Sequence, residues 1–243
     1  MQANSFIITL EDTTMLSPHV KHFIFKHEQA VPFHFEAGQF ITLHIKHQDK
    51  LLKRSYSLAN APKLDNYLEF AAGFVPQGLG SDFLFKLKPG DTVEATGPFG
   101  RLTLKSPDPL RYILVATSTG ITPYRSMLPT LTQRLNENPA LHVVILQGVK
   151  KRSDLLYHKE FKAFAKTSDR IQYHACLSQE TSPLEKDEHQ GYVQTLLSKL
   201  SLSKEEDMAY LCGNPSMVDD AFHLLKEEGF AVTNIIREKY ISR

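Results

Sequence analysis

The chain has 243 residues, 42% hydrophobic and 23% charged, with a formal charge of +1 at pH 7. This length exceeds a typical single domain, and the apolar content can fill one large or two medium cores. The near-zero charge excludes nucleic acid as the main partner, and only Cys176 and Cys212 are present, which excludes a disulfide framework and points to a reducing compartment, the cytoplasm.

At the start of the chain Met1-Gln2-Ala3-Asn4 carries no basic region, and no stretch approaches the roughly 18 apolar residues that span a bilayer. Residues 1 to about 102 read as all-β. Ser5 to Leu10, Lys21 to Lys26, Gln39 to Ile45, Tyr67 to Ala72 and Thr92 to Thr96 are short and rich in β-branched or aromatic residues. Turn chemistry separates them, as in Glu36-Ala37-Gly38 and Lys88-Pro89-Gly90-Asp91. Five or six such strands predict a small closed antiparallel barrel. One helical turn interrupts it, with Ser81 as the expected N-cap before Phe83, Leu84 and Leu87.

After Leu104-Lys105-Ser106-Pro107-Asp108-Pro109 the period changes, which predicts a domain boundary there: 1–104 and 109–243. Ile113 to Ala116, Val143 to Leu146, Gln172 to Leu177 and Ala209 to Cys212 read as buried strands. Between them lie helical patterns, Pro123 to Leu135 and Pro215 to Glu228. Strand–helix alternation of this kind predicts a parallel sheet covered on both faces.

Three segments carry chemistry. In Arg54-Ser55-Tyr56-Ser57 a strand would put Arg54 and Tyr56 on one face, Ser55 and Ser57 on the other. A guanidinium there can hold a phosphate bidentately, and a phenol ring can lie on a flat heterocycle. Gly78-Leu79-Gly80-Ser81 opens a short helix and offers a second anion site; a plain hairpin end has the same composition. Thr119-Gly120-Ile121-Thr122-Pro123 follows an apolar strand and opens a helix, where amides and hydroxyls suit a pyrophosphate. Any strand–turn–helix junction also needs turn residues.

In combination these segments resemble the ferredoxin–NADP⁺ reductase superfamily over nearly the whole chain, and the compact bacterial reductases without a fused iron–sulfur domain in particular. Five family motifs occur in order: Arg54 to Ser57, Gly78 to Ser81, Gly97-Pro98-Phe99-Gly100, Thr117 to Pro123, and Cys212-Gly213-Asn214-Pro215. The resemblance implies an N-terminal antiparallel Greek-key β-barrel that binds FAD, followed by a parallel α/β domain that binds NADP, with NAD possible.

Residue by residue, it implies that Arg54 binds the flavin pyrophosphate, with Ser55 beside it. Tyr56 packs on the isoalloxazine and Ser57 faces its N5 edge. Gly80 and Ser81 meet the second phosphate, which favours FAD over FMN. Thr119, Gly120, Thr122 and Gly213 hold the nicotinamide nucleotide, and Cys212 lies near nicotinamide C4. Tyr240 fits the spacing of a terminal aromatic beside the flavin, and Glu238 that of a carboxylate relaying protons with Ser57; three residues follow the tyrosine. Cys176 matches no motif and reads as core.

Two departures stand out. Thr117-Ser118 occupies positions where relatives commonly carry glycine. Ser178-Gln179 replaces a Ser-Arg that pairs the 2′-phosphate of NADPH, leaving Lys150, Lys151 and Arg152 on the facing loop as substitutes, which leans slightly toward NADPH.

The implied function is hydride transfer between NAD(P)H and flavin N5, with single electrons passed to or from a small carrier such as ferredoxin or flavodoxin. Alternatives are the NADH-dependent reductase component of an oxygenase, a free-flavin or ferric reductase, and a non-enzymatic flavin-binding electron-transfer or regulatory subunit. No metal site is expected. His19 and His22, and His44 and His47, fall on opposite strand faces, and two cysteines cannot supply the four thiolates of an iron–sulfur centre.

Overall fold

The computed structural model describes residues 5–28, 32–63 and 65–240. The reading of Met1-Gln2-Ala3-Asn4 and the residues after Tyr240 lie outside that range. The chain forms two compact units. One is built from the chain through Leu104 together with Thr122–Met127, the other from Lys105–Ile121 together with the chain from Leu128 onward.

The first unit is antiparallel. Its strands are β1 (Ser5–Ser17), β2 (Val20–His27), β3 (Phe40–His47), β4 (Lys50–Ser57), β5 (Tyr67–Gly73) and β6 (Thr92–Phe99), with helix α1 (Leu79–Lys86) between the last two. The sheet order is β4-β3-β6-β1-β2-β5, so β6 returns by a long connection to lie between β1 and β3. A bridge from Leu58, just past β4, to Phe70 on β5 joins the two ends of that order, giving the expected barrel. Alternation sends Phe23, Phe25 and Phe70 inward, and their rings stack with centroids 5.4 Å apart from Phe70 to each of the others. Strand β1 runs seven residues past the expected Leu10, bending at irregularities between Leu10 and Asp12 and between Met15 and Ser17.

The second unit contains a six-stranded parallel sheet in the order β10-β9-β8-β7-β11-β12. Its strands are β7 (Arg111–Thr117), β8 (His142–Val149), β9 (Ile171–Leu177), β10 (Glu188–Gln190), β11 (Asp207–Gly213) and β12 (Ile235–Lys239). The helices are α2 (Thr122–Glu137), whose residues Thr122–Met127 count with the first unit, α3 (His158–Ala165), α4 (Val193–Leu197) and α5 (Pro215–Glu227). Strands buried on both faces explain the continuous apolar runs. Ile113, Val115, Val144, Leu146 and Cys176 pack with Val193 and Leu197 of α4 and with Met217, Val218, Ala221 and Leu225 of α5. On α3, Phe161 stacks on Tyr173 of β9 at 5.7 Å.

The segment read as a boundary is anchored to this second unit. The backbone N–H of Lys105 donates to the Tyr210 hydroxyl at 2.9 Å, and Tyr112 donates to Asp108 at 2.9 Å. Arg134 of α2 pairs with the same Asp108 carboxylate.

Candidate cofactor sites

In the first unit the β3–β4 pairing places Leu43 opposite Arg54, Thr42 opposite Ser55 and Ile41 opposite Tyr56. Arg54 and Tyr56 are half-buried and alternate with exposed Lys53 and Ser55, as the strand period requires. Ser57 departs from that alternation. It is buried, while the Ser55 hydroxyl stays exposed and hydrogen-bonds to Thr42 Oγ1 at 2.9 Å. The Tyr56 ring stacks on Phe70, centroids 4.7 Å apart, and burial pushes its phenol up to about 12, against the downward pull of Arg54.

Residues distant in sequence meet at the head of α1. Arg54 Nη1 donates to the Lys53 carbonyl at 2.9 Å, and its aliphatic stem lies flat against Gly80. A Cβ on Gly80 would stand 3.0 Å from Arg54 Cγ and 3.2 Å from Nε, so glycine is what lets the guanidinium reach the first turn of the helix. That turn leaves amides without intrahelical acceptors beside a fixed cation, which fits a pyrophosphate.

Ser81 is not the N-cap. Gly78 holds that position, and Ser81 lies inside the helix. Its hydroxyl accepts the Val75 N–H at 3.1 Å and lies within 3.0 Å of the Val75 and Gly78 carbonyl oxygens. It therefore fixes the turn that enters α1.

Deeper in the first unit is a charged group that the sequence did not announce. Glu69 accepts from Arg125 at 2.8 Å and lies 3.3 Å from His22 Nε2. Arg125 also donates to the Ala59 carbonyl at 3.1 Å. The hydrogen bond from His22, then that from Arg125, holds the Glu69 carboxyl down to about 2 against the opposing effect of burial. No local motif could have signalled a contact between positions so far apart.

In the second unit, β7 has β8 on one side and β11 on the other, so strand order reverses at the carboxyl ends of β7 and β11. Ligands of open parallel sheets bind at such a point. The turn Ser118–Ile121 follows β7 there, and Cys212-Gly213-Asn214 follows along β11. A side chain that accepts a backbone N–H joins the two. Thr117 Oγ1 accepts the Asn214 N–H at 3.0 Å, and Asn214 caps α5 by accepting from Ser216 N–H at 2.9 Å. A Cβ on Gly120 would stand 2.2 Å from the Cys212 carbonyl oxygen, so only glycine allows the turn to seat on the strand end.

The first departure from the family pattern, Thr117-Ser118, has a local role for each residue. Thr117 serves as the acceptor just described. Ser118 occupies the left-handed region at φ 50°, where glycine is the usual residue. At the head of α2, Thr122 is buried and its hydroxyl has no hydrogen-bond partner among the described residues, while Pro123 stands in the first turn. A buried orphan hydroxyl at a helix N-terminus fits an anion. Thr119, on the turn between Ser118 and Gly120, is half-buried.

The C-terminal segment is a strand up to Lys239. β12 runs parallel to β11 and sets Glu238 opposite Cys212 and Lys239 opposite Gly213. The Tyr240 N–H then donates to the Gly213 carbonyl at 2.8 Å. Cys212 is fully buried, and burial, then the Glu238 charge, pushes its thiol well up, while a hydrogen bond with the Tyr240 side chain pulls the other way. The thiol is therefore a neutral group at ordinary pH. Cys176 lies in the core, as read from the sequence.

Lys150, Arg152 and Ser178 all lie just past the carboxyl ends of β8 and β9. Arg152 is not free for a 2′-phosphate. Its Nε donates to Glu188 Oε1 at 2.7 Å and its Nη2 to Glu188 Oε2 at 2.5 Å, with a further bond to the Pro183 carbonyl at 2.8 Å. The Ser178 hydroxyl makes a long 3.4 Å contact with the Val149 carbonyl, and Lys150 is exposed.

Comparison with known proteins agrees with this geometry. Residues 7–104 match the oxidoreductase FAD-binding domain family and residues 114–223 the oxidoreductase NAD-binding domain family. Ferredoxin–NADP reductase B of Sorangium cellulosum is 38% identical over 178 residues, covering 73% of this chain and 72% of the relative. The toluate 1,2-dioxygenase electron transfer component of Pseudomonas putida is 32% identical over 85% of this chain, which spans 59% of that relative's length. A Neisseria gonorrhoeae ferredoxin–NADP⁺ reductase solved with FAD and NADP shares the fold at a TM-score of 0.85 and 23% identity, covering 98% of this chain and 99% of that one.

These matches define a two-domain flavin- and nicotinamide-nucleotide-binding oxidoreductase. The chain belongs to the ferredoxin–NADP⁺ reductase superfamily. FAD and a nicotinamide dinucleotide are its cofactors, and the barrel-plus-parallel-sheet fold expected from the sequence is the one observed. Among the described residues, no helix is long and apolar enough to cross a membrane.

Proposed function

We propose that the chain moves electrons between NAD(P)H and a small one-electron carrier of the ferredoxin or flavodoxin kind. In this reading residues 1–104 are the flavin domain and 109–243 the nicotinamide domain. Flavin supplies the needed chemistry, since it accepts two electrons together and releases them one at a time. The observation that carries the reading is the Arg54 side chain laid against Gly80 at the head of α1.

The chain's own residues bind and orient. Arg54 neutralises pyrophosphate, helped by the amides behind Gly80 and Ser81. Tyr56, braced by Phe70, presents a flat ring to the isoalloxazine, with Ser55 and Ser57 on the same strand as hydrogen-bonding groups. Thr119, Gly120, Thr122 and Gly213 receive the nicotinamide nucleotide at the strand-order reversal. Cys212 offers it a neutral thiol, and Glu238, opposite Cys212 on the adjacent strand, takes the role of proton relay.

A second reading, the reductase of an oxygenase, has the toluate dioxygenase component's 32% identity in its favour. We place the protein in the cytoplasm, a reading supported by two cysteines that are both free thiols.

The test is an absorbance spectrum of the purified protein before and after anaerobic addition of NADPH or NADH, followed by ferredoxin and flavodoxin. A flavin spectrum that bleaches with dinucleotide and recovers on addition of carrier is expected. A colourless preparation that takes up no FAD ends the reading.

A further inference from the structure

The inference rests on the reading of the second unit as a nicotinamide-dinucleotide domain, and concerns which dinucleotide it takes. NADPH differs from NADH by one phosphate on the 2′ oxygen of the adenosine ribose, so selection depends on the charge that meets that oxygen. With the pyrophosphate at the turn after β7, the ribose lies a few bonds further along. Neighbouring strands stand about 4.8 Å apart, so this oxygen falls past the carboxyl ends of the next strands, β8 and β9.

Those two ends are tied together. Ser178 N–H donates to the Val149 carbonyl at 3.1 Å and Gln179 N–H to the Lys150 carbonyl at 2.8 Å. Glu180, the next residue, has its carboxylate fixed by three backbone N–H groups: Arg152 at 2.9 Å, Thr181 at 3.0 Å and Ser182 at 3.1 Å. The one guanidinium of the facing loop, Arg152, is held in a bidentate pair by Glu188, whose side chain is 0% exposed. Turning Arg152 toward a ligand would leave that buried carboxylate without a counter-ion, a costly state. Lys150 and Lys151 are exposed and present hydrated point charges, with no planar fork for phosphate.

We propose that this pair of loops selects NADH over NADPH, with Glu180 the specificity-determining residue and Glu188 a positioning residue that keeps Arg152 away from the nucleotide. A carboxylate at this place accepts a hydrogen bond from a ribose hydroxyl and repels a 2′-phosphate.

Two measurements on the FAD-loaded protein test it: calorimetric binding of 5′-AMP and of 2′-phospho-AMP, and anaerobic flavin reduction by each dinucleotide. Tighter binding of 5′-AMP, and a kcat/KM for NADH about tenfold or more above that for NADPH, are expected. E180Q should narrow both ratios by roughly fivefold. Equal or tighter binding of 2′-phospho-AMP by the wild type overturns the proposal, as do ratios that E180Q leaves unmoved. Reduction by both dinucleotides with NADPH ahead sinks the preference alone, whereas reduction by neither sinks the underlying reading as well.

Discussion

In the function proposed above, the two units solve the same problem, holding a diphosphate, with different parts of the chain. In the first unit side chains do the holding: a guanidinium from β4, a phenol braced on Phe70, and a helix head that Gly80 leaves open. In the second unit the backbone does it. The turn Ser118–Ile121 seats on the end of β11 because Gly120 has no Cβ, and the Thr117 hydroxyl takes the Asn214 N–H. A site built of side chains is tuned by charge and lost by truncation. A site built of main chain tolerates truncation and is lost by a single added carbon.

The largest expected effect breaks the second site. Gly120→Ala puts a methyl 2.2 Å from the Cys212 carbonyl oxygen and 2.6 Å from its carbon, both backbone atoms that cannot swing aside. A loss of about 3 kcal/mol or more is expected, read as a lowered melting temperature with nucleotide binding lost. Gly80→Ala, by contrast, meets the flexible stem of Arg54 at 3.0 Å, so the fold should survive while FAD affinity falls. Equal melting losses in the two variants would contradict the distinction.

Next in size is Arg54→Ala. Removing a charge-assisted phosphate contact weakens FAD binding by about a hundredfold, so the protein should lose flavin during purification while keeping its far-ultraviolet dichroism. Arg54→Lys should recover part of the affinity as a point charge without the fork. Stoichiometric FAD retained by the alanine variant removes Arg54 from the cradle.

How much of this was legible in the sequence follows the same division. The change from alternating strands to continuous apolar runs shows in the residues themselves, because burial on one face or two dictates it. Gly80 and Gly120 stood in recognisable turns, yet what each glycine faces is set by Arg54 and Cys212, far away in the chain. Strand β12 was not legible, since Arg237-Glu238-Lys239 on a sheet edge has no apolar run to announce it. Helix α3 offers only Phe161 and Phe164 as buried anchors over eight residues. Lys150-Lys151-Arg152 reads as three equivalent cations. Only the fold brings Glu188, 36 residues on, to Arg152 and removes one of them.

A smaller effect separates the units by pH. Glu69, in the first unit, is held down to about 2 from its ordinary 4.5 by His22 and Arg125. Its contribution is complete above pH 4.5 and is lost as pH falls toward 2, because the unfolded chain takes up the proton first. Glu69→Gln should therefore cost about 2 kcal/mol at pH 7 and almost nothing near pH 2, as measured by urea unfolding across that range. The bond from the Asn214 N–H to the Thr117 hydroxyl has no titrating group, so Thr117→Val should cost the same at both ends. A Glu69→Gln penalty that stays flat with pH would mean that the carboxylate charge does not stabilise the fold.

The smallest effect sharpens the comparison by repairing a local strain. Ser118 holds φ at 50°, a region where a side chain costs roughly 1–2 kcal/mol. Glycine removes that cost, but its freer unfolded chain gives back about 0.4–1 kcal/mol. The difference predicts that Ser118→Gly raises stability by about 0.5 kcal/mol. Because the Ser118 side chain is exposed and the proposed site relies on amides, nicotinamide-nucleotide affinity should hold or improve slightly. If the variant instead loses nucleotide affinity several-fold at unchanged stability, the hydroxyl is itself a ligand. The second site would then be held by side chains too, and the contrast with the flavin cradle would disappear.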